Sequence, residues 1–87
     1  MEIITTFRGM RATWNGEFLK GRRKSLGLTT YQLAQKLNCS RPLISMWEQN
    51  KSAPLGHLLV LLGIALNNHP NDFYKIEVTQ NQEVSNE

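Results

Sequence analysis

Apolar residues recur along residues 28–48 at the spacing expected for two short helices that bury their inner faces against each other. The positions to be buried are Leu28, Leu33, Ala34, Leu37, Cys39, Leu43, Ile44 and Trp47. The residues between them are mostly polar, which indicates an outer surface in contact with water. The pattern predicts a packed pair of helices with an exposed polar face.

Capping residues mark where the first two helices begin and end. Asn15 can cap a helix over about residues 16–26, and Gly27 follows that helix as a typical terminating residue. Thr29 and Gln32 have the spacing of a capping box, which predicts that the second helix starts there.

The third helix is predicted from the residues around its start and its end. Asn38 can adopt the left-handed conformation that ends the second helix. Ser40 is placed to cap the third helix, and Pro42 is tolerated in its first turn, where a missing N–H costs nothing. This helix should end near Gln49, with Asn50 left-handed after it.

A fourth helix, over about Leu55–Asn67, is apolar nearly all round. One stripe should close the core and comprises Leu55, Leu58, Leu59, Leu62, Ala65 and Leu66. A second stripe comprises His57, Val60, Leu61 and Ile64. A helix with two apolar faces is buried on both sides, so we predict a homodimer interface on the second stripe. The alternative is that an N- or C-terminal arm covers it.

The two ends of the chain favour extended structure. Residues 3–7 contain a β-branched cluster typical of a short strand or an arm. Alternating apolar residues predict a strand over about 74–79, after a short helical turn at 72–74, and this strand could pair with 3–7 within a subunit or across a dimer. The polar residues 80–87 are expected to fray.

The predicted fold class is all-α, a compact bundle of four to five helices. Short terminal β-strands are an alternative that the sequence leaves open. Residues 1–14 form an N-terminal arm or strand, and residues 15–67 form the helical domain. Residues 68–87 form a C-terminal dimerisation segment and tail.

Length and composition agree with one small domain. The 87 residues are 40% apolar, with one cysteine and no run of eighteen apolar residues that could span a membrane. A secretory signal is not expected either, because no long apolar run follows the basic N-terminal stretch. A single cysteine suits a reducing compartment, so we expect a cytoplasmic protein.

Basic residues are concentrated in one part of the chain. The net charge is only +3, but residues 8–51 contain nine lysine and arginine residues against two acids. Such a segment, where it coincides with the helix pair, has the charge pattern of a phosphate-binding surface. The alternative is a charged face that is merely solvated.

Enzymatic chemistry is not predicted. The two histidines, His57 and His69, have no carboxylate or cysteine at the spacing of metal ligands. No glycine-rich phosphate loop or nucleophile motif is present. We therefore expect neither a metal nor a cofactor.

Taken together, these residues resemble the Cro and phage-repressor type (Xre-like) helix-turn-helix family. The resemblance covers about residues 17–66. It rests on the motifs Arg23-x-x-Leu26-Gly27-Leu28-Thr29, Leu33-Ala34 and Ser40-Arg41-Pro42-Leu43-Ile44-Ser45-Met46-Trp47-Glu48, with Pro54 before the fourth helix. It implies a helical bundle that binds DNA as a two-fold dimer.

The resemblance implies that the third helix reads bases in the major groove, through Arg41, Pro42, Ser45 and Met46. Arg41 is the strongest candidate, because its planar guanidinium matches the O6 and N7 acceptors of guanine. Pro42 and Met46 depart from the family's usual polar residues, so the target sequence does not follow from the resemblance.

The expected phosphate contacts surround that helix. They are Thr30, Ser40, Lys51, Ser52, Arg22 and Lys36. Arg8 and Arg11 could form an arm in a minor groove or be ordinary surface charge. The resemblance also implies a structural ion pair between Arg23 and Glu48, and Trp47 is predicted to anchor the core.

Two functions remain open at this point. The first is a homodimeric transcriptional autorepressor of phage or mobile-element type, such as the regulators that accompany anti-CRISPR genes, bound to an inverted repeat in double-stranded operator DNA. The second is an antitoxin that binds a protein toxin as well as its own operator, because the fourth-helix segment is similar to that of antitoxins beside RelE- or HigB-type toxins. Both classes of protein bind their operator through a helix-turn-helix, so the motif does not distinguish between them.

Overall fold

The computed structural model describes residues 2–78. Four α-helices, one 3-10 turn and three strands follow one another along this part of the chain. They are β1 (Ile4–Phe7), β2 (Met10–Trp14), α1 (Gly16–Ser25), α2 (Thr30–Leu37), α3 (Arg41–Glu48), α4 (His57–Leu66), the 3-10 turn η1 (Pro70–Phe73) and β3 (Tyr74–Val78). None of the helices described is long and apolar enough to cross a membrane.

The first two strands form a tight hairpin. Arg8 and Gly9 connect them and both have positive φ, 49° and 77°, as the two central residues of a type I′ turn require. This turn matches the right-handed twist of paired strands. It therefore converts the N-terminal segment, in which we predicted a strand or an arm, into two antiparallel strands.

The sheet brings the two ends of the chain together in the order β1-β2-β3, antiparallel throughout. Within the subunit, the C-terminal strand therefore does not pair with residues 3–7, because β2 lies between them. Pairing of these two segments across a dimer stays a prediction. The predicted fold class is confirmed in part: four α-helices are present, and the short terminal strands that were left open form a three-stranded sheet, so the fold is mostly helical and not all-α. The predicted fraying of residues 80–87 lies outside the described residues.

Most helix ends follow the predicted capping. The Asn15 side chain accepts a hydrogen bond from the Phe18 N–H at 3.2 Å. Thr29 and Gln32 form a reciprocal capping box. Asn38 and Asn50 are left-handed, with φ of 55° and 60°. These bonds satisfy backbone groups that a helix end otherwise leaves unpaired.

Helix α4 begins later than predicted. Gly56 has a φ of 54° and ends the preceding loop, so Leu55 lies outside the helix and is 79% exposed. Its assignment to the core stripe was wrong. The rest of that stripe faces inward: Leu62 and Leu66 are fully buried, and Leu58, Leu59 and Ala65 pack against the core.

Trp14 joins the sheet to the helical core. It is 2% exposed and packs edge-on against Tyr74, with ring centroids 5.4 Å apart. Its indole N–H donates to the backbone carbonyl of Trp47 at 2.8 Å. Phe73 completes this aromatic cluster and is fully buried.

Two glycines of α1 provide a matched test of this packing. A Cβ on Gly16 would stand 2.7 Å from the Glu48 carbonyl oxygen, whereas a Cβ on Gly21 meets nothing within 4 Å. Gly16→Ala should lower the free energy of unfolding by about 2 kcal/mol or more, because backbone must move. Gly21→Ala should raise it by roughly 0.5–1 kcal/mol through helix propensity. Urea denaturation measures both; equal effects would contradict the close approach.

Candidate nucleic-acid interface

Helices α2 and α3 are joined by three residues in the geometry of a helix-turn-helix. The left-handed Asn38 ends α2, and the Cys39 N–H donates back to the Ala34 carbonyl at 3.0 Å. Burial raises the pKa of the Cys39 thiol, which favours its protonated form. The tight connection sets α3 against α2 without a flexible loop.

The two faces of α3 differ in burial. Ile44 and Trp47 point into the core and are 0% and 1% exposed. Helical spacing puts Pro42, Ser45 and Met46 on the opposite side. Pro42 and Met46 are exposed there, and Ser45 is half-buried. Arg41 stands exposed at the first position of the helix. All four predicted base-reading residues therefore lie on or beside one accessible face.

A buried ion pair ties α3 to α1. The guanidinium of Arg23 donates to both carboxylate oxygens of Glu48, with Nη2 to Oε1 at 3.1 Å. Both side chains are less than 10% exposed, at 8% and 7%. Arg23 also donates to the Leu28 carbonyl at 2.8 Å. One side chain thus connects α1, the turn before α2 and the end of α3.

A second set of bonds holds the carboxyl end of α3. The Trp14 indole reaches the Trp47 carbonyl, and the Gly16 N–H donates to the Asn50 side-chain oxygen at 2.8 Å. Carbonyls at a helix end need partners, and β2 provides one for Trp47, whereas the start of α1 bonds the side chain of Asn50 in the loop that follows α3. The amino end of α3, where Arg41 lies, is left exposed to solvent.

Several of the predicted phosphate contacts are accessible. Lys36 and Lys51 are exposed, and Thr30 is half-buried at the first position of α2. Ser40 is exposed and occupies the N-cap position of α3, but its side chain makes no capping hydrogen bond. The predicted side-chain cap is therefore wrong, and the hydroxyl stays available to a ligand.

Two other predicted contacts are less available to a phosphate. Among the described residues, Ser52 Oγ is buried without a hydrogen-bond partner, so this hydroxyl lies away from the surface on which we expected it. Arg22 Nε donates to the Leu66 carbonyl at 3.1 Å and so caps the end of α4. Its role in the fold reduces its freedom to reach a phosphate.

The N-terminal arginines belong to the sheet and not to a free arm. Arg11 lies on β2 and pairs with Glu77 of β3 at 3.0 Å, with both side chains about half exposed. Arg8 sits in the hairpin turn with its guanidinium 5.5 Å from the Phe7 ring centroid. The exposed cations of the helical part are Lys20, Lys24, Lys36, Arg41 and Lys51.

The outer face of α4 is apolar and uncovered by the described residues. Ile64 is 71% exposed, Val60 52% and Leu61 39%, and His57 is exposed beside them. Neither strand of the N-terminal hairpin covers this face, so the covering arm that we considered is not formed by residues 2–78.

A family model described as helix-turn-helix (HTH_3) matches residues 19–73. The chain belongs to the Cro/C1-type helix-turn-helix family. The resemblance inferred from the motifs is confirmed, and membership of this family supports the prediction that the chain is not an enzyme. The β1–β2 hairpin lies outside the matched residues. No curated protein sequence matches this chain.

Solved structures extend the comparison. The chain is similar to the P22 c2 repressor in complex with synthetic operator 9T, at 33% identity and a TM-score of 0.65 over 67% of this chain and 88% of that one. The solution structure of the P22 c2 DNA-binding domain has the same identity, a TM-score of 0.64, and coverage of 67% and 76%. SinR, a master regulator for biofilm formation solved in complex with DNA, shares the fold at 24% identity and a TM-score of 0.62, over 67% of this chain and 94% of SinR.

Sequence reasoning missed two residues of this surface. Gln49 is exposed and lies one turn beyond Ser45, on the outward side of α3; we had treated it only as a helix end. Tyr31 is 54% exposed at the start of α2, where its hydroxyl accepts a hydrogen bond from the Gln35 amide. The sequence offered one signal for both: Gln49 lies one helical turn after Ser45 and Tyr31 directly follows Thr30, and Ser45 and Thr30 were predicted contacts.

The buried and exposed ion pairs give a matched prediction. Arg23→Met should lower the free energy of unfolding by about 3–5 kcal/mol, because it leaves the Glu48 charge buried and unpaired. Arg11→Met removes an exposed pair and should cost less than about 1 kcal/mol. Denaturant titration measures both changes. The double variant Arg23→Met with Glu48→Leu should recover much of the loss; no recovery would contradict the account.

Proposed function

We propose that this protein is a transcriptional repressor that binds operator DNA through α3 in the major groove. The observation that carries the proposal is the exposed face of Arg41, Pro42, Ser45 and Met46 on a helix whose opposite face is buried. The similarity to a repressor solved in complex with its operator supports it.

Each part of the helix-turn-helix has a distinct role in this proposal. Arg41 reads guanine with two parallel hydrogen bonds, and Met46 packs on a thymine methyl group. Thr30, Ser40, Lys36 and Lys51 contact phosphates, which fixes the register of α3 in the groove but carries no sequence information. Repression follows because the bound protein excludes polymerase from the promoter.

The exposed face of α4 supports a homodimer. His57, Val60, Leu61 and Ile64 form an apolar face that a second copy would cover. Two copies related by a two-fold axis place two α3 helices about one DNA turn apart. The preferred target is therefore an inverted repeat, and the upstream region of the protein's own gene is the first candidate, as for an autorepressor of phage or mobile-element type in the cytoplasm.

The antitoxin alternative differs in its partner and not in its DNA surface. It predicts a stable complex with a protein toxin in addition to operator binding. No contact among the described residues favours it, so the repressor remains the proposal.

Substitution of the proposed reading residue should weaken specific binding. Arg41→Ala should lose about 1–3 kcal/mol, or roughly 5- to 150-fold in affinity, for DNA from upstream of the gene. Lys75→Ala removes an exposed cation from β3 and should change affinity little. Mobility-shift titrations at two salt concentrations, with a random duplex alongside, measure both. Binding that is weak, equal on random DNA and lost with salt would overturn the proposal.

Introducing a charge on α4 should separate the dimer. Ile64→Glu would bury a carboxylate in the apolar interface, so sedimentation equilibrium should show that association through α4 is lost, and circular dichroism should show unchanged helix content. Leu26→Glu places the same charge on an exposed apolar residue outside α4 and should leave the dimer intact. A dimer of unaltered stability in the Ile64 variant would assign the interface elsewhere.

A further inference from the structure

The outer edge of β1 is open and lacks the protection typical of an edge strand. Ile4, Thr5, Thr6 and Phe7 are all exposed, and within residues 2–78 only β2 pairs with this strand. Natural edge strands carry charges or proline that discourage pairing with another chain. The opposite edge, β3, carries Lys75 and Glu77, whereas β1 itself carries neither a charge nor a proline.

The backbone direction of β1 follows from its pairing with β2. The Trp14 N–H donates to the Ile3 carbonyl at 2.9 Å, which makes Ile3 and Trp14 a hydrogen-bonded pair. Such pairs alternate along antiparallel strands, so Thr5 and Phe7 also bond inward to β2. The N–H and C=O groups of Ile4 and Thr6 therefore point outward from the edge.

We propose that β1 is a self-association edge, on which β1 of a second copy pairs antiparallel with the two-fold axis at Thr5. The sum of paired residue numbers is constant in an antiparallel ladder. Ile4 is then opposite Thr6 of the second copy, and their outward groups form the hydrogen-bonded pairs. Two three-stranded sheets become one sheet of six strands.

Charge complementarity indicates both the partner of β1, a second copy of this chain, and the register of the pairing. With Thr5 on the two-fold axis, Glu2 of each copy lies beside the hairpin turn of the other, where Arg8 directly follows β1, at both ends of the ladder. Both residues are exposed, and their opposite charges attract at each end of the pair. Centring the axis on Thr6 leaves Glu2 beyond the ladder and places Arg8 opposite Ile4. A second copy supplies both halves of this match.

The exposed aromatic residue of β1 fits the same register. Phe7 is 64% exposed and comes to lie opposite Ile3 of the second copy, an aromatic and β-branched pair that is favourable across strands. The edge is separate from α4, so the inference does not depend on the α4 dimer.

Cysteine trapping tests the register directly. The test uses a Cys39→Ala, Ile64→Glu background, which removes the native thiol and the proposed α4 interface. Thr5→Cys should form a disulfide-linked dimer under mild oxidation, because facing residues in a non-hydrogen-bonded pair have Cα atoms about 4.5 Å apart. Thr6→Cys is the matched control and should form the disulfide about tenfold more slowly, since its two copies lie beyond roughly 7 Å.

Two further variants separate pairing from chance encounter. Thr6→Pro in the Thr5→Cys protein removes an outward N–H and spares the inward bonds, so cross-linking should fall about tenfold. Arg8→Glu should also slow cross-linking, and Glu2→Arg added to Arg8→Glu should restore it. Equal rates at positions 5 and 6, or no rescue by the charge exchange, would overturn the proposal. Faster trapping at position 6 would overturn this register.

Discussion

The buried pair of Arg23 and Glu48 is the interaction on which the arrangement of the helices depends. Removing both charges from water is costly, and the cost is offset only because the guanidinium bonds both carboxylate oxygens and the Leu28 carbonyl. These directional bonds fix α3 relative to α1 and to the start of α2. Apolar packing alone would tolerate small rotations of α3, whereas the ion pair does not.

The sheet adds a second constraint at the same end of α3. Trp14 and Gly16 supply donors to the Trp47 carbonyl and to Asn50, so the carboxyl end of α3 and the loop after it are bonded to the N-terminal part of the chain. The amino end carries Arg41 and remains exposed. A helix anchored at one end and free at the other suits the insertion of its first turns into a groove, as the proposed function requires.

Local signals allowed most of the helical part to be predicted from the sequence. The capping box at Thr29 and the left-handed conformations of Asn38 and Asn50 are each determined by residues within about four positions in the sequence. All three are present in the structure. The Arg23–Glu48 pair spans 25 positions; only the family resemblance suggested it. The groove-facing residues were assigned from the same resemblance, and their DNA contacts stay predictions.

The sheet was harder to predict because its determinants are not local. The Arg8–Gly9 turn lacks the Asn-Gly or Asp-Gly signature of type I′ hairpins, and β2 contains a single β-branched residue, Thr13. The carbonyl that accepts the hydrogen bond from the Trp14 indole belongs to Trp47, 33 positions away. The buried Ser52 hydroxyl and the late start of α4 at Gly56 depend likewise on how the loop between α3 and α4 packs.

The central claim is that α3 and the start of α2 form the DNA surface, and an amide NMR titration tests it most directly. Adding an operator duplex to labelled protein should shift the amide signals of residues 40, 41, 43–46, 29–32 and 51 most strongly. The signals of β1 and β3 should change little at the same ratio of DNA to protein. The largest shifts on the sheet, with α3 unaffected, would contradict the account.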